Sequence, residues 1–266
     1  MRYVIISFSR FLLTPLVVLI ASVCARRLGP RWAGQLIGAP TTTGPFVILI
    51  CLSAGIGRGA AAALGCVIGG LTVVSYCLLY SLLAQRWRPL HSWVAAIGCS
   101  LLIGVLTLLW PSLWVWTALT LIVTVGALML WPATAKPATV VAPSRIETPV
   151  RMLLTGVTVL VATLATQILG PLVGGLLSSL PVILGVMMPS VHRGSGAAAA
   201  TELARGALIA MPGTTVFLLL AGLSLPALGL LGGIGVAIAG LVVTGWVLRT
   251  GLAALKQARG SLIARA

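Results

Sequence analysis

Side chains able to do chemistry are sparse in this sequence, and their spacing narrows what they could do. Only two acids occur, Glu147 and Glu202, and there is no Asp. Glu202 falls inside an apolar run with Arg205 three residues on, a spacing that puts both on one helix face where they can pair. An ionisable group held within a membrane is costly and serves as a proton relay or substrate contact. An interfacial ion pair that only anchors a helix end is the alternative, and Arg193 close by favours it. The second group is made of hydroxyls. Thr41, Thr42 and Thr43 sit between Pro40 and Gly44, and Ser178 and Ser179 sit just before Pro181 and Gly185. Proline in a helix interior removes a ladder bond and clashes with the preceding turn. Each cluster therefore marks a break in an apolar helix, where freed N–H and C=O groups must meet a ligand, water or protein rather than lipid. A kink that only shapes packing is the other reading of either break. Arg10 and Arg151 start two apolar runs, either as anchors that snorkel to the interface or as contacts for a substrate anion.

The elements that must hold these groups are membrane helices. Of 266 residues, 59% are hydrophobic and only 7% charged, against about a quarter charged in a soluble domain. An all-α polytopic membrane protein is expected. Seventeen Lys and Arg give a net charge of +15. Most of these lie between apolar runs, so the excess reads as topology, with attraction to anionic lipids second, and not as nucleic-acid binding. The five cysteines (Cys24, Cys51, Cys66, Cys77, Cys99) all lie in apolar runs of the first half with no metal-ligand spacing. They read as small packing residues. No metal and no cofactor is expected. Without Asp, paired acids, an HExxH or a nucleophile–base pair, an enzyme is not expected either. The start of the chain resembles a signal peptide, but Arg26 and Arg27 directly follow the small residues, so it is read as a first span.

The chain is written twice. A shift of 141 residues lays RFLLTPLVVLIASVCARRLGP (Arg10 to Pro30) on RMLLTGVTVLVATLATQILGP (Arg151 to Pro171), and then Gly34 on Gly175, Leu36 on Leu177, Pro40 on Pro181 and Gly44 on Gly185. Beyond this the register loosens, with RGAAAA (Arg58 to Ala63) answered by RGSGAAAA (Arg193 to Ala200). Allowing about twenty residues per crossing, spans are expected near 3–25, 31–54, 59–84, 92–110, 112–131, 150–168, 171–190, 197–222 and 226–248. The charge-free stretch 92–131 would be roughly 60 Å long as one helix, twice the hydrocarbon thickness. Pro111 and its neighbouring tryptophans mark a turn at its centre. Five spans before the second copy make the copies enter the membrane from opposite sides. The charges agree: thirteen basic residues fall on one side and three (Arg2, Arg10, Arg58) on the other. That bias places the N-terminus outside and the C-terminus in the cytoplasm.

The expected organisation is thus a first repeat of five helices (1–131), a Pro/Ala/Thr-rich cytoplasmic linker (132–149), a second repeat of four helices (150–248) and a basic cytoplasmic tail (249–266), with helices 2 and 7 broken. Inverted repeats with Gly/Pro-interrupted helices in corresponding positions point to a transporter's central site. The expected function is a secondary transporter or flippase-like carrier of a small solute or lipid-linked molecule in a bacterial cytoplasmic membrane. Its candidate site is Pro40, Thr41, Thr42, Thr43 and Gly44 with Ser178, Ser179, Pro181 and Gly185. A scaffold or accessory subunit of a larger membrane complex is the alternative. Gly65/Gly69 and Gly229/Gly233 make GxxxG pairs suited to close helix packing, and association into a homo-oligomer stays open.

The stretches AGQLIGAPTTTGPFVILI and VGGLLSSLPVILGVMM, the latter followed by RGSG and TELARGALIAMP, resemble the small bacterial GlpM-type membrane proteins. The E-x-x-R of Glu202 and Arg205, with a proline some turns later, is similar to that family's third helix. The resemblance implies one four-helix unit per half, fused as an inverted pair, and no particular activity. The first half departs from it by lacking the Glu and Arg and by carrying an extra span.

The topology has a direct test. With the five cysteines replaced, single cysteines at Thr139 and Ser261 should react with a membrane-impermeant thiol reagent from the cytoplasmic side only. Labelling of either from outside would make the span parity wrong.

Overall fold

The computed structural model describes residues 29–131 apart from Pro111, residues 168–263, and the isolated positions 19, 20, 23, 27, 28 and 153. The first expected span (3–25), the linker 132–149, the sixth span (150–168), Arg10 and Arg151 lie outside the described residues or are touched only at single positions. The described chain is α-helical with no strand. Its elements are α1 (Pro30–Gly38), α2 (Thr43–Ala54), α3 (Ile56–Leu83), α4 (Pro89–Leu109), α5 (Leu113–Leu130), α6 (Pro171–Ser178) and α7 (Val182–Ile263). Non-helical dihedrals at Gly196 and Gly229 divide α7 into α7a (182–195), α7b (197–228) and α7c (230–263).

Among the described residues five helical stretches are long and apolar enough to cross a membrane: Pro30–Leu52, Ile56–Leu83, Pro89–Leu109, Leu113–Leu130 and Pro171–Leu248. The last runs to 78 residues, about 117 Å if straight, several times a bilayer's hydrocarbon core. Its interruptions at 179–181, Gly196 and Gly229 cut it into lengths that a membrane can hold. The charge-free stretch 92–131 divides where Pro111 and the tryptophans predict. α4 ends at Leu109, Trp110 leaves helical geometry, and α5 starts at Leu113. The Trp116 indole N–H donates to the Trp110 carbonyl at 2.7 Å across this turn.

Backbone landmarks recur at the 141-residue shift beyond Gly44, where the sequence register loosens. Gly29 (φ 95°) precedes α1 and Gly170 (φ 87°) precedes α6; Gly55 (φ 96°) precedes α3 and Gly196 (φ 86°) precedes α7b. Both pairs keep the 141-residue shift. These positive φ values lie where a side chain is strained and glycine is not. The counterpart of Gly55 is therefore Gly196, and that of Glu202 is Ala61. The sequence match of Arg58 with Arg193 follows local composition and is six residues out of the structural register.

The core is built on α3 and α7b, which carry most of the fully buried side chains, including Tyr76, Tyr80, Val67, Leu203, Leu208 and Leu225. α4, α5 and α7c lie outside it with exposed apolar faces, such as Leu102, Leu106, Ile122 and Val242, as expected for helices that meet lipid. The short helices are the inner ones. α1 lies directly against α7b: a Cβ at Gly34 would fall on the Leu203 carbonyl, and one at Gly206 on the Arg31 carbonyl. α6 lies against α3 in the same way: a Cβ at Gly175 would fall on the Ala62 carbonyl, and one at Gly65 on the Leu172 carbonyl. Each atom of the first contact maps onto the second by the same shift of 141. Further along, a Cβ at Gly38 would come within 2.8 Å of the Ala207 Cα, and its counterpart Ser179 hydrogen-bonds the carbonyl of Cys66, the counterpart of Ala207.

These contacts leave no room for a methyl group on backbone that cannot move aside. Gly34→Ala and Gly175→Ala should each lower stability by about 1–3 kcal/mol, the usual penalty for overpacking. Gly98→Ala, with open space around it, should leave stability equal or slightly higher. Thermal unfolding in detergent would measure all three. Full tolerance of alanine at Gly34 would mean that α1 does not touch α7b.

Candidate functional site

Both helix breaks have the same local construction. α1 ends at Gly38, Ala39 is extended (φ −68°, ψ 160°), and α2 starts at Thr43. The Thr41 N–H donates to the Ala39 carbonyl at 2.7 Å, and the Gly44 N–H to the Pro40 carbonyl at 2.9 Å. In the second half the Val182 N–H donates to the Leu180 carbonyl at 2.7 Å, and the Gly185 N–H to the Pro181 carbonyl at 2.6 Å. Each break is thus a three-residue turn centred on proline, whose fixed φ suits the inverse γ-turn. The unwound backbone covers 39–42 and 179–181, slightly ahead of the Pro40–Gly44 and Pro181–Gly185 segments expected. Gly44 and Gly185 are already helical, and their N–H groups close the first turn of α2 and α7a.

The Gly38 carbonyl, freed at the end of α1, has its partner in the other half of the protein. The Thr214 hydroxyl of α7b donates to the Gly38 carbonyl at 2.7 Å. On the second break the Thr72 hydroxyl of α3 stands 3.4 Å from the Ser179 carbonyl while giving its proton to Gly69 at 2.6 Å. The Ser179 hydroxyl itself bonds the Cys66 carbonyl at 3.0 Å. Thr41 turns back onto its own half-helix, 3.2 Å from the Leu36 carbonyl.

The two breaks line one cavity of about 120 Å³, enough for several waters. Its walls include Ile37, Gly38, Ala39, Thr42 and Thr43 from the first break, and Ser178, Ser179, Leu180, Pro181, Ile183 and Leu184 from the second. α3 contributes Gly70 and Val73, and α7b contributes Met211, Thr214 and Thr215. The 141 shift exchanges most of these in pairs: Gly38 with Ser179, Ala39 with Leu180, Thr42 with Ile183, Thr43 with Leu184, Gly70 with Met211, and Val73 with Thr214. Among the described residues none that lines the cavity is charged. The Thr43 hydroxyl oxygen is buried without a hydrogen-bond partner among the described residues.

Of the expected site residues, Thr42, Thr43, Ser178, Ser179 and Pro181 thus come together around the cavity. Pro40, Thr41, Gly44 and Gly185 shape the breaks from outside its walls. Arg10 and Arg151 lie outside the described residues. Thr214 and Thr215 were missed, although two adjacent threonines inside the apolar run ALIAMPGTTVFLLL carry the same signal as the threonines at the first break.

Glu202 and Arg205 belong to a different place. Arg205 Nη1 stands 3.5 Å from Glu202 Oε1, both side chains mostly buried. Arg31 joins them: Gly206 rests on its backbone carbonyl, its guanidinium feels the charges of both Arg205 and Glu202, and its Nε is buried without a partner. Sequence reading counts Arg31 only as a loop charge. Seven residues of α1, about 10 Å, separate it from Gly38 at the cavity. The same contact in the other half is apolar, with Leu172, Ala61 and Leu64 at the equivalent positions. Near α3's end, Gln85 donates to the Thr201 hydroxyl at 3.2 Å and the Tyr80 hydroxyl stands 3.2 Å from His192 Nδ1. Among the described residues no group of three or more His, Cys, Asp or Glu side chains could hold a metal ion.

Comparison with protein-family models, with curated proteins and with solved structures finds no match for this chain.

The apolar twin of the charged contact supplies its own control. Glu202→Gln alone leaves two arginines without a counter-charge and should destabilise the protein, since removing one partner of a buried pair is costly. The triple variant Arg31→Leu, Glu202→Ala, Arg205→Leu copies the other half and should regain wild-type stability or exceed it. Thermal unfolding of both variants measures this. A triple variant less stable than Glu202→Gln would show that the charges stabilise the helix contact itself.

Proposed function

We propose that this protein is a nine-span carrier of inverted-repeat architecture, a secondary transporter or flippase-like protein that moves a small solute or lipid-linked molecule across a bacterial cytoplasmic membrane. The observation that carries the proposal is the single cavity walled by both helix breaks. Lipid cannot satisfy a break in mid-membrane, and here both breaks turn to the same cavity and to each other's halves.

The inversion has support in the packing. Gly59 at the start of α3 rests on Cys51 near the end of α2, so α1–α2 and α3 form an antiparallel hairpin. α6 advances along α3 in the same direction, Gly175 at Ala62 and Ser179 at Cys66. α1 and its counterpart α6 therefore run oppositely, which is what opposite entry into the membrane requires. Thirteen basic residues on one face against three on the other support an outside N-terminus and a cytoplasmic C-terminus. Repeats related by an axis in the membrane plane, with broken helices at their interface, are the arrangement in which alternating access works by rocking one half against the other. The GlpM-type resemblance adds to the proposed architecture as a fused, inverted pair of units.

Alternating access can be tested without knowing the substrate. A chain lacking its native cysteines and carrying Thr43→Cys should react with a small impermeant thiol reagent from outside in right-side-out vesicles and from inside in inverted ones. A carrier gives labelling from both sides. Labelling from one side only, or from neither, overturns the carrier reading, and neither would leave a dry packing scaffold.

A further inference from the structure

The cavity has two unlike halves. Six of its wall residues carry hydroxyls: Thr42, Thr43, Ser178, Ser179, Thr214 and Thr215. The 141 shift places an apolar or bare residue at every counterpart: Ile183, Leu184, Ile37, Gly38, Val73 and Val74. A symmetric duplication would give each half the same polarity, so the difference needs a cause in what the cavity holds.

The hydroxyls also share a side. Along α1 and α2 the chain passes from Ile37 and Gly38, across the break, to Thr42 and Thr43. Along the oppositely running α6 and α7a it passes from Ser178 and Ser179 to Ile183 and Leu184. Opposite travel puts all four hydroxyls on one side of the breaks and the four apolar or bare residues on the other. Thr214 bonds the Gly38 carbonyl, and Phe217, one turn further along α7b, has its ring 3.6 Å from where a Cβ on Gly44 would stand. Thr214 and Thr215 are therefore level with Thr42 and Thr43.

From this arrangement we propose that the cavity takes an uncharged amphiphile, its hydroxyl or amide end among the threonines and serines and its apolar end against Ile37, Val73, Ile183, Leu184 and Met211. This rests on the carrier reading for its oppositely running halves and names the substrate class of that same site. Among the described residues a charged group would have no counter-ion, because none that lines the walls is charged and the Arg31–Glu202–Arg205 cluster is about 10 Å away along α1. Unpaired burial of a charge is far costlier than burial of a hydroxyl. The half-helix ends do not supply a sign, since each break brings one N-terminus and one C-terminus and their partial charges oppose. Hydrogen bonding is what remains. Ser179 and Thr214 spend their protons on the Cys66 and Gly38 carbonyls and keep lone pairs to accept, while the buried Thr43 hydroxyl has no partner among the described residues. A ligand hydroxyl, which both donates and accepts, satisfies both kinds.

The test uses the full chain in lipid nanodiscs, with empty nanodiscs as baseline, and three probes of one chain length: pentane-1,2-diol, pentanoate and pentylammonium. The diol should raise the unfolding temperature and the two ions should not. Thr43→Val should weaken diol binding about five- to tenfold, the worth of one neutral hydrogen bond, whereas Thr43→Ser should keep it. Because the Thr43 hydroxyl is unpartnered, the valine variant without ligand should be as stable as wild type or more so. Stabilisation by pentanoate or pentylammonium equal to that by the diol overturns the proposal, as does undiminished diol binding by Thr43→Val. Diol binding together with one-sided labelling of Thr43→Cys would retain this site chemistry and overturn the carrier. Two-sided labelling together with preferred binding of an ion would do the reverse.

Discussion

At the centre of this molecule a short helix of each half rests on the bare backbone of a long helix from the other half. Glycines at 34 and 206 make one contact and glycines at 65 and 175 the other, and each brings a carbonyl to the place where a side chain would stand. Apolar side chains gain little by meeting each other in lipid, so close van der Waals approach is a principal source of affinity between membrane helices. The rest follows from that closeness. α1 and α6 are held inside the bundle, their ends arrive at a common centre, and the broken backbone at those ends is kept away from lipid.

Around that centre the duplication is nearly faithful in backbone and unfaithful in side chains. Glycine N-caps, proline-centred turns and crossing contacts recur at one shift, yet polarity does not. One crossing carries Arg31, Glu202 and Arg205, and the other carries leucines and an alanine. The cavity is hydroxylated on one side and apolar on the other. Backbone geometry answers to the apolar surroundings that both halves share. Side chains answer to what approaches from each face, and there the halves have diverged.

Much of the architecture could be read from the sequence because Gly and Pro act locally. Pro40 and Pro181 announced the turns, and Pro111 with its tryptophans divided a forty-residue apolar run. The counterpart of Gly55 escaped notice because RGAAAA and RGSGAAAA match by composition six residues away from the structural register. Only the positive φ at Gly196 decides between them. The candidate site was half legible. Hydroxyls beside a proline could be read, while Thr214 and Thr215 sit in an unbroken helical stretch and face the cavity only because α1 lies along α7b. Arg31 illustrates the opposite failure: a basic residue at a helix start looks like a topology signal, and its role with Glu202 depends on a contact 171 residues away.

The bond from Thr214 to the Gly38 carbonyl spans 176 residues of chain. At the pace of protein synthesis, about 5–20 residues per second, its donor reaches the membrane roughly 9–35 s after its acceptor. During that interval the first half sits in the membrane with its break already made and its partner helix not yet in existence. Water, the insertion machinery or a temporary neighbour must occupy that carbonyl until α7b arrives. The nascent protein's exposure is therefore set by ribosome speed, and it ends only when the second copy of the repeat has been threaded in beside the first.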